Sequence, residues 1–405
     1  MVVKWRLKRK GFCLQLKMAN RQIIAGLDVG TAWVRLVVCE TRPGDSAPQV
    51  LVLIKKPARG LRRGYVINAD EAVESIRETV ADAERSLKIK IRKVLLGLGG
   101  VSLDSRIIEG SIVSAKPDAE ISGNDVNHAI EASEKNLLDM VNRQILHRIP
   151  ISFKVDGEKV LGHPEGLRGS KLEARTLFIT CLNQHLKDLV KVIEDAGLIV
   201  DDIVASPLAA SLVVMSKLQK MAGSVLVNIG SQTTSIAVFE EGVPVSIQVF
   251  PIGSMDITND IALGFRIPIE EAEKIKRGEG EPVGTKKKLD EIIEARLSDI
   301  FEFVETHLKK LGRNGLLPAG LIITGGGSSI PNIEELAKNY FKLPARVAAS
   351  AIASNSKSQI RDASWSVSYG LCVYRLEDGG EESFGLKLIK DTRSKIWDWI
   401  KELMP

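Results

Sequence analysis

Cysteine and histidine are scarce in this chain, and neither is clustered. The four cysteines, Cys13, Cys39, Cys181 and Cys372, lie far apart and form no C-x-x-C pair. That spacing argues against a structural zinc site and against a disulfide framework, and it fits a reducing cytoplasm. The five histidines, His128, His147, His163, His185 and His307, show no H-E-x-x-H or other ligand spacing, so they read as ordinary surface or core residues. No segment approaches the roughly 20 apolar residues of a spanning helix. Nor is charge of one sign in excess: a formal net charge of +5, spread over 405 residues, suits a solvated surface, and no motif for binding nucleic acid is present. The opening stretch "MVVKWRLKRKGFCLQLKMAN" is basic, but its apolar run is broken by Gln15 and too short for a signal-peptide core. Met18 directly precedes the first regular strand, so residues 1–20 read as a leader from an upstream start or, alternatively, as a basic membrane-contacting tail.

What the chain does have is length and repetition. A chain of 405 residues that is 44% hydrophobic buries a sizeable core and is expected to divide into two or more domains. "IIAGLDVGTAWVRLVV" and "SVLVNIGSQTTSIAVF" repeat one another, each an apolar strand, a small-residue turn and a second β-branched strand. Gly30 and Gly230 stand at the two turns, 200 positions apart, which implies two homologous halves. Further strand signals alternate with helical periodicity at 70–88, 183–196 and 331–341, and the alternation indicates an α/β architecture.

Two stretches interrupt the pattern. Residues 102–176 read as a small α+β module: a strand "RIIEGSIVS", a helix from about Ser122 to Leu138, and a strand "ILHRIPISFKV". Residues 254–318 are mainly helical, with "KKKLDEIIEARLSDIFEFVETHLKKLG" as a long helix.

A turn rich in glycine and hydroxyl residues brings backbone N–H groups close to a phosphate because no side chain blocks the approach. "DVGTAW" and "NIGSQTT" are two such turns; either alone also fits a plain hairpin, whereas the pair in repeated halves describes a clamp. A third element, "LIITGGGSSIPNIEEL", is a strand followed by Gly325, Gly326, Gly327 and Ser328 and then a helix, which suits either a ligand or a tight strand-to-helix turn.

Taken together, these stretches resemble the actin-like (ribonuclease H-like) nucleotide-binding superfamily and, within it, the FtsA family of bacterial cell-division proteins. The resemblance runs from about Ile23 to Tyr374, and "ILHRIPISFKVDG", "PEGLRGSKLEARTLFITC" and "EEAEKIKRGEG" are its FtsA-specific parts. It implies a two-lobed fold with subdomain 1A at 21–101 and 177–222, an inserted subdomain 1C at 102–176, 2A at 223–253 and 319–374, and a helical 2B at 254–318. The ligands implied are ATP and Mg²⁺. Asp28, Gly30, Thr31, Ala32 and Trp33 would meet the phosphates from the first half, and Gly230, Ser231, Gln232 and Thr233 from the second. Glu273 and Lys276, spaced i, i+3, would frame the adenosine with Gly325, Gly326, Gly327 and Ser328; without the family, the first pair reads as a surface salt bridge. Asp28 would hold Mg²⁺, directly or through water. The implied partners are the C-terminal peptide of the tubulin-like protein FtsZ, with Arg296 in "EARLSD" as a contact, other division proteins, further copies in a filament, and anionic lipid, at the cytoplasmic face of the membrane at the septum. An i, i+3 pair with Asp299 is the structural alternative for Arg296.

The sequence departs from the family at the site. Asn228 stands where relatives have an acid, and Ser231 and Gln232 replace glycines; Ser206 in "VASPLAAS" stands where hydrolysing chaperone-type relatives carry an acid that FtsA proteins commonly lack. One negative charge near the cation is missing, so the expectation is nucleotide binding with weak or absent hydrolysis, and no catalytic residue is assigned. After a linker at 375–385, residues 386–405 read as an amphipathic helix. Ile396, Trp397, Trp399, Ile400, Leu403 and Met404 cover one arc, with Lys395 and Lys401 opposite, which suits either an anionic membrane surface or packing on the chain's own domain. Two other readings stand beside this one: a PilM-like pilus-assembly protein and a superfamily kinase.

Overall fold

The computed structural model describes residues 22–42, 44–113, 120–280, 284–348 and 362–378. The β-branched stretches of the first repeat form strands, as their composition favours. Strands β1 (Gln22–Val29), β2 (Trp33–Thr41) and β3 (Gln49–Pro57) make an antiparallel meander. A short hairpin, β4 (Leu61–Arg62) with β5 (Tyr65–Val66), leads to helix α1 (Ala69–Leu87), and β6 (Lys93–Leu98) returns parallel to β1. Asn68 caps α1 by accepting the Glu71 N–H, and the buried Ala72, Val73, Ile76, Val80 and Ala83 recur at helical spacing.

The chain then leaves the first half for β7 (Asp104–Val113), α2 (Gly123–Lys135), β8 (Arg143–Val155), β9 (Glu158–Val160) and β10 (Lys171–Leu182). Ser122 and Asp125 start α2 with a reciprocal capping box. Strand β10 lies antiparallel between β7 and β8, and Ile121, Val126, Ile130, Phe153 and Leu172 form a small core beneath α2. Helix α3 (Asn183–Asp195), β11 (Ile199–Ala205) and α4 (Ser206–Val214) complete the first half.

The second half repeats the plan. After α5 (Lys217–Ala222) come β12 (Ser224–Ile229), β13 (Thr234–Glu240) and β14 (Val243–Phe250), then α6 (Ser254–Phe265), α7 (Ile269–Lys276) and α8 (Lys286–Lys310). Strand β15 (Leu321–Thr324), α9 (Ile333–Phe341), β16 (Ala345–Val347) and α10 (Ser366–Asp378) follow. The helix expected from position 331 begins at Ile333, because Asn332 takes a left-handed conformation.

The first sheet has the order β3-β2-β1-β6-β11, and the strands of the second half repeat it as β14-β13-β12-β15-β16. In both, three antiparallel strands are followed by two parallel ones, so the repeat in the sequence is a repeat of topology. One connection is absent from the sequence reading. Strand β7 pairs with β14 at Asp104 and Gln248, and Ser105 Oγ accepts the Ile247 N–H at 2.6 Å and donates to its carbonyl at 2.8 Å. The inserted module thus extends the sheet of the second half to nine strands, although the chain enters and leaves it from the first.

Helix α10 crosses back to the first half. Its Tyr369 hydroxyl donates to the Pro48 carbonyl at 3.1 Å, and Leu371 and Cys372 are fully buried. Gly370 allows the closest approach: a Cβ there would stand 1.9 Å from the Ala209 carbonyl oxygen of α4. No larger residue fits without moving one helix.

Candidate nucleotide-binding site

The two glycine turns are built alike. Gly30 N–H donates to the Trp33 carbonyl at 3.1 Å, and Gly230 N–H donates to the Thr233 carbonyl at 2.8 Å, each closing a hairpin directly after the last strand pair. The hairpins face one another across a cavity of about 480 Å³. Asp28, Gly30, Thr31, Ala32 and Trp33 line it from the first half, and Asn228, Gly230, Ser231 and Thr233 from the second. Glu273 and Lys276 of α7 and Gly325, Gly326 and Ser328 form a third wall.

That third wall depends on one backbone conformation. Gly325 has φ 87°, and a Cβ on it would stand 2.2 Å from Asn228 Oδ1, so the amide of Asn228 packs directly on the turn. One 3-10 turn, Gly326–Ser329, follows, and Ser328 closes it by donating from both N–H and Oγ to the Gly325 carbonyl. Two expected residues stand apart from the cavity. Gly327 lies behind the turn against Ile229, and Gln232 reaches sideways to accept the Arg63 N–H at 3.0 Å.

The Gln232 contact belongs to a tie between the halves. The loop joining β4 to β5 also sends the Gly64 N–H to Thr31 Oγ1 at 3.2 Å, while its Gly64 carbonyl accepts from His185 Nε2 at 3.0 Å. His185 Nδ1 must then accept from Ser102 Oγ at 2.5 Å. Both glycine turns are therefore linked through one short hairpin to His185 and to Ser102, at the start of the inserted module. Burial holds the imidazole below its ordinary range, which agrees with a neutral ring in this role.

Charge at the cavity is balanced unevenly. Lys276 is buried and donates to the Ser254 carbonyl, Thr258 Oγ1 and Glu273 Oε2, at 3.0, 2.8 and 2.6 Å. The Glu273–Lys276 pair is therefore a wall of the cavity, which excludes the surface salt bridge. Desolvation alone would raise the Glu273 carboxyl, but hydrogen bonds from Lys276 and Thr258 and the charges of Lys276 and Arg277 hold it below its usual range. Burial raises the Asp28 carboxyl, and Arg35 opposes that from 3.7 Å.

Arg35, Lys55, Arg277, Met255 and Asp362 also line the cavity, and sequence reasoning missed them. A signal for Arg35 was present: an arginine in "WVRLVV", on the same face as Trp33 by the period of two, asks what satisfies it.

The residues do not fit a Mg²⁺ site made by this chain. Mg²⁺ prefers one or two carboxylates beside phosphate and water. Asp28 faces the Arg35 guanidinium, residue 228 is a neutral amide, and Glu273 is engaged by Thr258, Lys276 and Arg277. Among the described residues, no group of three or more His, Cys, Asp or Glu is placed to hold a metal ion.

Arg296 lies on α8, away from the cavity. Its guanidinium donates to both carboxylate oxygens of Asp260 at 2.7 and 3.1 Å, and to Asp299 at 3.1 Å. The expected pair with Asp299 is there, and Asp260 adds a bidentate contact. The membrane residues expected between Lys395 and Met404, and the basic leader, lie outside the described residues. Among the described residues, no helix is long and apolar enough to cross a membrane.

Comparison with known proteins bears on the family and the fold. The family model "Cell division protein FtsA" matches residues 225–370, and "SHS2 domain inserted in FTSA" matches residues 100–180. FtsA of Bacillus subtilis is 32% identical, covering 82% of this chain and 80% of the relative. FtsA of Neisseria meningitidis serogroup B is 32% identical, covering 87% and 90%. Among solved structures, the PilM-PilN type IV pilus biogenesis complex aligns with TM-score 0.64 at 18% identity, covering 86% of this chain and 97% of that one. EutJ from Carboxydothermus hydrogenoformans aligns with TM-score 0.53 at 17% identity, covering 87% and 89%. MreB5 of Spiroplasma citri bound to ADP aligns with TM-score 0.50 at 14% identity, covering 89% and 98%. At such identities these structures speak to the fold, which is actin-like with the SHS2 module inserted. With identity of this level across most of both chains, a shared sheet order in its two halves and the inserted module in place, the chain belongs to the FtsA family of cell division proteins.

Proposed function

We propose that this protein binds ATP in the cleft between its two halves and serves division as an adaptor that holds FtsZ at the cytoplasmic face of the membrane. The observation that carries the nucleotide reading is the pair of like-built glycine hairpins facing each other across one cavity, with the Gly325 turn as a third wall. Bound ATP would bring its phosphates to the hairpins and its adenosine to the Glu273 and Lys276 wall. Hydrolysis is slow or absent, since Asn228 and Ser206 offer no carboxylate to orient water. Ser206 Oγ, buried at the cavity without a partner, is a polar group for ligand or water but a poor base at neutral pH.

The adaptor role adds three surfaces: the FtsZ peptide on the α6–α8 helices near Arg296, filament contacts through the inserted module, and anionic lipid at the C-terminal helix. Arg296 would meet a carboxylate only by exchanging it for Asp260 or Asp299, which makes these two acids competitors of the peptide. The test of the nucleotide reading is a calorimetric titration of the full chain with ATP. Saturable binding of one ATP, with little phosphate released over the same hours, is expected. Heats no different from dilution, or rapid phosphate release, would overturn the reading.

A further inference from the structure

We propose that Arg35 carries, at this cleft, the positive charge that a divalent cation brings to a polyphosphate, so that the chain holds a nucleoside di- or triphosphate without a protein-bound metal. The inference rests on the nucleotide reading above. Asp28, Arg35 and Lys55 are direct cross-strand partners on β1, β2 and β3, and all three line the cavity. That row holds one negative and two positive charges. Like charges directly opposite on neighbouring strands repel, and here they do so against a wall of low dielectric. An anion in the cleft removes that repulsion.

Arg35 itself is incomplete. Its side chain is only 11% exposed, its contact to Asp28 is a loose 3.7 Å, and Nε has no hydrogen-bond partner. A buried guanidinium N–H without an acceptor is rare in a finished site. The two carboxylates whose charge acts on it, Asp28 and Asp362, do not supply it. Asp28 stands beyond hydrogen-bond distance, and Asp362 accepts the N–H and the hydroxyl of Ser364, both at 2.8 Å. Phosphate oxygens match the arginine fork, which offers two parallel donors. Lys55, 4.4 Å above the Trp33 ring, stands beside the same space.

A cation at Asp28 would meet Arg35 at the same buried carboxylate. Two positive centres would then share one negative charge, and Asn228 adds none. Metal and guanidinium are therefore alternatives here, and the guanidinium is covalently in place.

The experiment measures ATP affinity of the full chain by titration in excess Mg²⁺ and again in excess EDTA. Wild-type affinity is expected to fall by less than about threefold on chelation. Arg35→Met should lose about tenfold to a hundredfold in both buffers, the loss of charge-assisted hydrogen bonds, while Arg35→Lys keeps part of the affinity. Asn228→Asp, which adds the second acid, should make binding respond to Mg²⁺. Wild-type binding that collapses in EDTA overturns the inference. So does an Arg35→Met protein with an unchanged melting curve that binds as wild type does; if that variant does not fold, the two wild-type titrations still decide. Absence of ATP binding in both buffers instead removes the nucleotide reading itself.

Discussion

His147 shows how a single buried residue couples this fold to pH. Its Nε2 accepts the Ala205 N–H at 3.0 Å, so Nδ1 carries the proton, and that Nδ1 is buried without a partner. Desolvation pushes the imidazole down to about 4 from an ordinary value of 6.5. Above pH 6.5 the ring is neutral in folded and unfolded chains and contributes nothing to pH dependence. As pH falls from 6.5 to about 4 the unfolded chain takes up a proton that the folded one refuses, so stability declines across that window, by about 3 kcal/mol at its lower end. His185 and His307 are displaced in the same direction by burial and add to the slope. His147→Gln keeps an acceptor for Ala205 without a titration. Urea unfolding at neutral and mildly acid pH is expected to show a smaller acid loss for this variant; equal losses would contradict the assignment. Nothing local in "ILHRIPI" tells a core histidine from a surface one, so the sequence alone leaves the burial of His147 open.

Among the elements, α10 joins the far end of the chain to its beginning. It packs on β1 and α4, and Gly370 sets the spacing against Ala209. Gly370→Ala is expected to destabilise by about 3 kcal/mol, since the new methyl meets a backbone carbonyl that no rotamer change can move. A thermal melt within a degree of wild type would show that the helices separate freely. Helix α8 was legible in advance because Leu289, Ile293, Leu297, Ile300, Val304 and Leu308 recur every three or four residues, and the structure buries all six. The partner of β7 was not legible. An antiparallel strand offers two edges, and its alternation identifies which face is buried without saying which edge is taken.

At the scale of the whole molecule, the central feature is a repeat whose halves are tied by the β4–β5 hairpin and by α10. For the adaptor proposal, the attachment to lipid belongs to residues 386–405, outside the described part. The full chain is expected to sediment with vesicles containing anionic lipid, and the chain ending at 385 is expected to stay in the supernatant while keeping its ATP affinity. Sedimentation that is equal for both would place the lipid contact elsewhere.

By itself the sequence determined the two hairpins at Gly30 and Gly230, the helices with a clean apolar stripe, the interrupted plan and the family. Each depends on neighbours in the chain: a turn needs its glycine, and a helix needs its period. Only the tertiary structure decided that β7 joins the sheet of the second half, and that Gln232 leaves the cavity for Arg63. It also placed Arg35 between Asp28 and Lys55 in a row facing the cavity. These outcomes are set by strand register and by the packing of segments distant in sequence. Charges on neighbouring strands acquire their meaning only when register puts them side by side.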